Sequence, residues 1–109
     1  YWIVNYLIYY LFLFSIMKNF SLFFGLNRPN GSKISNQDFF KFLKIVDTIF
    51  PSYTVSNAVG SWHGLKEDTK ILQVTTNSRK DVLRLAEEYK NIFDQEAVGI
   101  TEANPMEFV

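Results

Sequence analysis

Beyond residue 16 the apolar positions fall into six runs separated by residues that favour turns. Phe20 to Leu26 (FSLFFGL) is short and aromatic, and the turn-forming Asn27, Arg28, Pro29, Asn30 and Gly31 follow, so it reads as a buried strand. Ser35, Asn36, Gln37 and Asp38 then form a capping-box-like start, because a serine hydroxyl and a carboxylate three residues on satisfy orphan amides. Phe39, Phe42, Leu43, Val46, Ile49 and Phe50 recur at helical spacing until Pro51 stops the pattern. Tyr53 to Trp62 alternates as a strand does. A loop over His63, Gly64, Leu65 and Lys66 precedes a further strand from about Thr69 to Thr76, and the two strands form a hairpin. Asn77 and Ser78 cap a second helix with a regular stripe of Val82, Leu85, Ala86, Tyr89, Ile92 and Phe93, and Ala97 to Thr101 is the last strand.

Strand, helix, strand, strand, helix, strand is the βαββαβ order of an α+β, ferredoxin-like split βαβ domain. It has an antiparallel sheet with both helices on one face. Such a domain is thin, and its second sheet face has no helix to cover it. A homo-oligomer is therefore expected.

The first 16 residues stand apart, since all 11 basic and all 11 acidic residues come after them. The segment is shorter than the roughly 20 apolar residues that span a bilayer and includes Asn5. It also lacks the basic region and cleavage site of a secretory signal. It is read either as untranslated sequence ahead of a start at Met17, its vocabulary being that of AU-rich codons, or as a membrane-associated helix. A membrane partner is expected only if the segment belongs to the protein, and residues 17–109 are taken as one domain.

Composition narrows the chemistry. A formal charge of zero gives no basic face for a nucleic-acid backbone, so no nucleic-acid partner is expected. With no cysteine and one histidine, a zinc site with ordinary ligands cannot be built, and no metal or cofactor is expected. His63 reads as a solvated loop residue rather than a triad base, since the sequence identifies no carboxylate to orient it. The sequons at Asn19 and Asn30 are short, common patterns, and Asn30-Gly31 is better explained as a turn. The remaining candidates are Glu67 and Asp68 at the entry to the third strand, Gln95 and Glu96 after the second helix, and Trp62 and Tyr53 as walls for an aromatic ligand. Each also has an ordinary explanation: solvated strand and helix ends for the polar residues, packing for the aromatics. Glu67 and Gln95 can meet only within one end of the sheet or across a subunit boundary.

Two resemblances follow from these residues. The run from Gly60 to Val98, with GSW, KEDTKILQVTT, a helix and DQEAV, resembles the small phage-encoded S-adenosylmethionine lyases, formerly called hydrolases. FFGL, a glycine-rich turn before an acidic helix, G-x-W, a glutamate ahead of a strand and F-x-QEAV also resemble an uncharacterised bacterial domain family, which covers more of the chain.

The lyase resemblance implies a ferredoxin-like homotrimer with sites between subunits, acting in the host cytoplasm against methylation-dependent defence. It carries the family's functional glutamate onto Glu67, with Asp68 beside it, and its functional glutamine onto Gln95. The loop from Trp62 to Lys66 departs from the pattern, which leaves the aromatic that contacts the nucleoside unassigned. The implied substrate, S-adenosylmethionine, carries its own carboxylate nucleophile and sulfonium leaving group. Opposite charges merge as they react, so folding and desolvating the substrate accelerates the step. A carboxylate beside the sulfonium would favour the ground state, so Glu67 is expected instead to bind ribose hydroxyls or the ammonium. Two alternatives remain open: a hydrolase of the same substrate, and a non-catalytic ligand-binding trimer of the uncharacterised family.

Overall fold

In a computed structural model, which describes residues 17–104, six elements form in the expected order. They are β1 (Lys18–Gly25), α1 (Asn36–Ile49), β2 (Thr54–Trp62), β3 (Leu65–Thr76), α2 (Arg79–Phe93) and β4 (Gly99–Ala103). The readings made of residues 1–16 lie outside the described residues. The strands form one sheet in the order β2-β3-β1-β4, with every pair antiparallel. This is the ferredoxin-like α+β fold. Among the described residues no helix is long and apolar enough to cross a membrane.

Strand parity sorts the side chains into two environments, because successive residues point to opposite faces and directly paired residues share one. Phe20, Leu22 and Phe24 of β1, with Leu72 and Val74 of β3, are buried beneath the helices. The intervening Phe23 and Gly25 pair with Ile71 and Thr69 on the other face, which neither α1 nor α2 covers.

Under the helices the core is largely aromatic. The rings of Phe24, Phe39, Phe42, Tyr89 and Phe93 pack with contacting centroids from 4.3 to 6.3 Å apart, most of them tilted or edge-on. These are the arrangements that the ring quadrupole favours, by about 0.5–1.5 kcal/mol per pair beyond the area buried. Serine caps start both helices: the Ser35 hydroxyl accepts from Asp38 N at 3.1 Å and the Ser78 hydroxyl from Asp81 N at 3.3 Å. Phe50 stops α1 in an extended conformation ahead of Pro51. Asp94 closes α2 with a left-handed backbone, φ 54°.

Several strand boundaries differ from the sequence reading. The chain reverses after Trp62 through His63 and Gly64 alone, rather than through a four-residue loop, because both take positive φ (51° and 79°), the backbone of a two-residue hairpin turn. As a result β3 begins at Leu65, four residues before the expected start at Thr69, and Glu67 and Asp68 lie inside the strand rather than at its entry. β4 runs from Gly99 to Ala103, two residues later than expected, since Gln95 to Val98 are used in crossing from α2 to the sheet. β1 begins at Lys18 rather than Phe20, its register with β3 extending to Thr76.

Tyr53 fastens the corner between α1 and β2, its hydroxyl donating to Asp47 Oδ1 at 2.5 Å. That bond, then partial burial and the Asp47 charge, push the phenol from its ordinary 10.0 up to about 12. A raised pKa favours the protonated phenol in the folded state. Its stabilisation is therefore whole below pH 10 and fades as the pH rises through about 12. We expect the stability gap between wild type and Tyr53→Phe to stay constant up to pH 10 and to shrink above it. Ultraviolet titration should show a tyrosine component near pH 12 that the variant lacks.

Candidate functional site: a cleft on the uncovered sheet face

The site lies where three connections gather at one end of the sheet: the β1–α1 loop, the β2–β3 hairpin and the α2–β4 crossing. They enclose a cleft of about 850 Å3 on the face away from α1 and α2. A cavity of that size falls within the range of small-molecule sites, roughly 300–1,000 Å3.

Its floor is built from the outward-facing residues of four strands. Gly60 pairs with Glu67, Gly25 with Thr69, and Gly99 with Phe23, so three neighbouring positions carry no side chain. Gly25 has a specific reason to be glycine. A Cβ there would stand 2.1 Å from Glu67 Oε1 and 2.8 Å from its Cδ. The Glu67 side chain thus lies across the β1 backbone in the space a side chain would otherwise fill. Among the described residues no donor reaches its carboxylate, and the ion pairs present are Arg79–Glu102 and Lys90–Glu87, both away from the cleft.

Beneath this contact the Tyr89 hydroxyl rises from the core and donates to the Gly25 carbonyl at 2.6 Å. Burial, then the nearby Glu67 carboxylate, push the Tyr89 phenol well above its ordinary range, while the Arg28 guanidinium pulls the other way. Tyr89 therefore remains a donor at any physiological pH and holds the end of β1 in place under Glu67.

Gln95 reaches the same cleft from the far side. Its Nε2 donates to Asn27 O at 2.9 Å and to Phe93 O at 3.3 Å, tying the α2–β4 crossing to the β1–α1 loop. Both N–H bonds are used internally, so what Gln95 can offer a ligand is its Oε1, an acceptor. The loop it props is itself closed by Arg28 N to Ser32 O at 2.8 Å and Ile34 N to Leu26 O at 2.7 Å. Arg28 and Lys33 line that wall, and with Glu67 and Glu96 they give the cleft charges of both signs.

The structure thus brings Glu67 and Gln95 into one cleft within a single chain. It does not bring the other candidates there in the same way. Asp68 has the opposite strand parity to Glu67 and does not line the cleft; its contact here is a backbone carbonyl that accepts from Leu26 N at 2.9 Å. Tyr53 sits at the other end of β2, held by Asp47, and is not a wall of the cleft. The side chain of Trp62 is outside the described ones. Phe23, which sequence reasoning passed over as one more core aromatic, stands instead on the cleft floor with 36% of its surface exposed. Strict alternation within FSLFFGL was the signal that could have separated it from Phe24. Among the described residues no group of three or more side chains could hold a metal ion.

Among solved structures the chain is similar to a phage SAM lyase in complex with S-methyl-5'-thioadenosine, at 20% identity, covering 83% of this chain and 82% of that one, with a TM-score of 0.57. At that identity the likeness is one of fold. No curated protein matches the sequence. Residues 19–108 match the family described as "Protein of unknown function (DUF3574)". Since that match runs from the first strand through the last, the chain belongs to the DUF3574 family.

Proposed function

We propose that this protein is an S-adenosylmethionine lyase. The observation that carries the reading is the Glu67 carboxylate, laid across Gly25 in a largely apolar cleft that also contains Gln95. The structural neighbour with bound S-methyl-5'-thioadenosine supports it at the level of fold.

In the proposed step a carboxylate oxygen of the substrate attacks its own γ carbon. The carbon–sulfur bond breaks, its electron pair goes to sulfur, and neutral 5'-methylthioadenosine leaves as homoserine lactone closes. No proton is transferred and no water enters. The protein's task is to fold the chain so that oxygen and carbon meet, and to keep out water that would stabilise the separated charges. Glu67, an acceptor only, takes ribose hydroxyls or the ammonium and fixes that folded shape. Gln95 sets the loop wall and presents its Oε1. Consumption of the methyl donor in a host cell would blunt methylation-dependent defence.

The cleft is open along the uncovered face, with Leu65 74% exposed at the hairpin. We place a second copy of the chain over this opening, in a homotrimer with the site completed between subunits. Light scattering of the full chain should give a trimer mass, and a monomer at micromolar concentration would remove this part of the proposal.

Products identified by NMR at early times separate the chemistries. Homoserine lactone supports the lyase, whereas homoserine from the outset means that water attacks; unchanged substrate leaves a binding protein. Glu67→Gln keeps the shape and loses the charge, and a charge-assisted hydrogen bond is worth about 1.5–3 kcal/mol, so kcat/KM should fall about 10- to 100-fold. Gly25→Ala is the complementary test. Gly25 is not at a positive φ, and the three atoms nearest the new methyl are the far end of a flexible side chain, that of Glu67. The fold should survive, as read by circular dichroism, while the displaced carboxylate costs a comparable loss of turnover.

A further inference from the structure

We infer that Phe23 is the base-reading residue of the cleft: its phenyl ring is the platform on which a purine of the ligand stacks. The inference rests on the reading of the cleft as a site for an adenosyl compound and assigns the part of it that sequence left open.

The argument starts from where Phe23 sits. β1 is an interior strand of the sheet, with β3 on one side and β4 on the other, so its outward side chains mark the middle of the uncovered face. An aromatic residue with about a third of its surface in solvent at such a place contrasts with Phe20 and Phe24, which the same strand buries almost completely on the helix side. Among the described residues no ring contact engages Phe23, whereas Phe24 packs against three other rings.

Its surroundings are shaped for a flat apolar partner. On the β4 side the ring occupies the space beside Gly99, with Phe23 Cδ2 3.7 Å from where a Cβ would stand. Two residues along the same strand, at Gly25, lies the Glu67 carboxylate. Ile71, paired with Phe23 on β3, supplies an aliphatic edge, and Ala58 and Thr69 keep the next row low. A purine laid on this surface would cover the exposed part of the ring and direct its attached sugar to the Glu67 carboxylate, the acceptor that hydroxyls need. Neither Tyr53, held by Asp47 at the far end of β2, nor any ring of the core cluster can take this place.

Stacking of a base on an aromatic side chain is sequence-tolerant and strong enough to measure, with alanine substitution weakening binding about 5- to 150-fold. The experiment compares two probes by calorimetry on the full chain: S-methyl-5'-thioadenosine, and 5-methylthioribose, which has the same sugar and thioether without the base. Wild type should bind the first at least 10-fold more tightly than the second. Phe23→Leu, which keeps an apolar side chain on the sheet, should lose about 10-fold or more for the nucleoside and nothing for the sugar, while Phe23→Trp should restore the preference. If Phe23→Leu binds both probes as wild type does, Phe23 is not the platform, though turnover of S-adenosylmethionine by the same sample would leave the lyase reading standing. A change of molecular mass with base preference intact would mean that Phe23 faces another subunit, and it too would overturn the inference. Should wild type bind neither probe and leave S-adenosylmethionine unchanged, the inference and the reading beneath it fall together.

Discussion

The approach of one carboxylate to one stretch of bare backbone organises this molecule's working end. Glu67 can lie over β1 because Gly25 has no side chain, and Tyr89 helps to fix the β1 end beneath it by donating to the Gly25 carbonyl from the opposite layer. A charged group on one face is thus seated on a hydrogen bond that originates in the aromatic core of the other. The hydroxyl of Tyr89 is bonded where it leaves the core, so the core does not contain an orphan polar atom, and among the described residues none is found.

This arrangement assigns separate tasks to the two sides of a four-stranded sheet. The helix side carries the core: its rings pack tilted or edge to face, its inward apolar residues are almost fully buried while Phe40, Leu83 and Ile92 on the helices stay exposed, and both helices are capped by serines at their starts. Among the described residues, the opposite side keeps glycines, the exposed Phe23 and the Glu67 carboxylate, which no donor engages. A two-layer domain of this size cannot build two cores. Folding therefore relies on one face, and the other is free to be chemically specialised.

Much of the fold was legible from periodicity because the elements with the strongest constraints declare themselves. The stripe from Val82 to Phe93 and the stop at Pro51 admit few other readings, and both helices begin on the serines expected to cap them. The hairpin was harder. His63-Gly64 lacks the Asn-Gly or Asp-Gly signature of a two-residue hairpin turn, so the turn reads from sequence as a longer loop and β3 loses its first four residues. The pairing of Glu67 with Gln95 was legible as a possibility, since topology allows their elements to share one end of the sheet. The close contact with Gly25 was not, because it depends on register across β1 and β3 and on a side chain's direction. Phe23 was hidden for a different reason. In a run as apolar as FSLFFGL, alternation is masked by uniform hydrophobicity, so an exposed ring reads as a buried one. The partner of Tyr53 was likewise not legible, because an aromatic with a polar handle can be occupied by a local carboxylate six residues earlier.

The hairpin of β2 and β3 continues past the last pairing of β1, from Leu65 to Asp68 on one strand and from Val59 to Trp62 on the other, as a two-stranded arm closed by the His63–Gly64 turn. Its ladder there is largely its own. Lengthening or trimming such an arm in steps of two residues on each strand preserves which face every side chain presents and leaves the aromatic layer untouched. Reach over a ligand and thermodynamic robustness are therefore inherited through different parts of this chain, and selection can adjust the first without putting the second at risk.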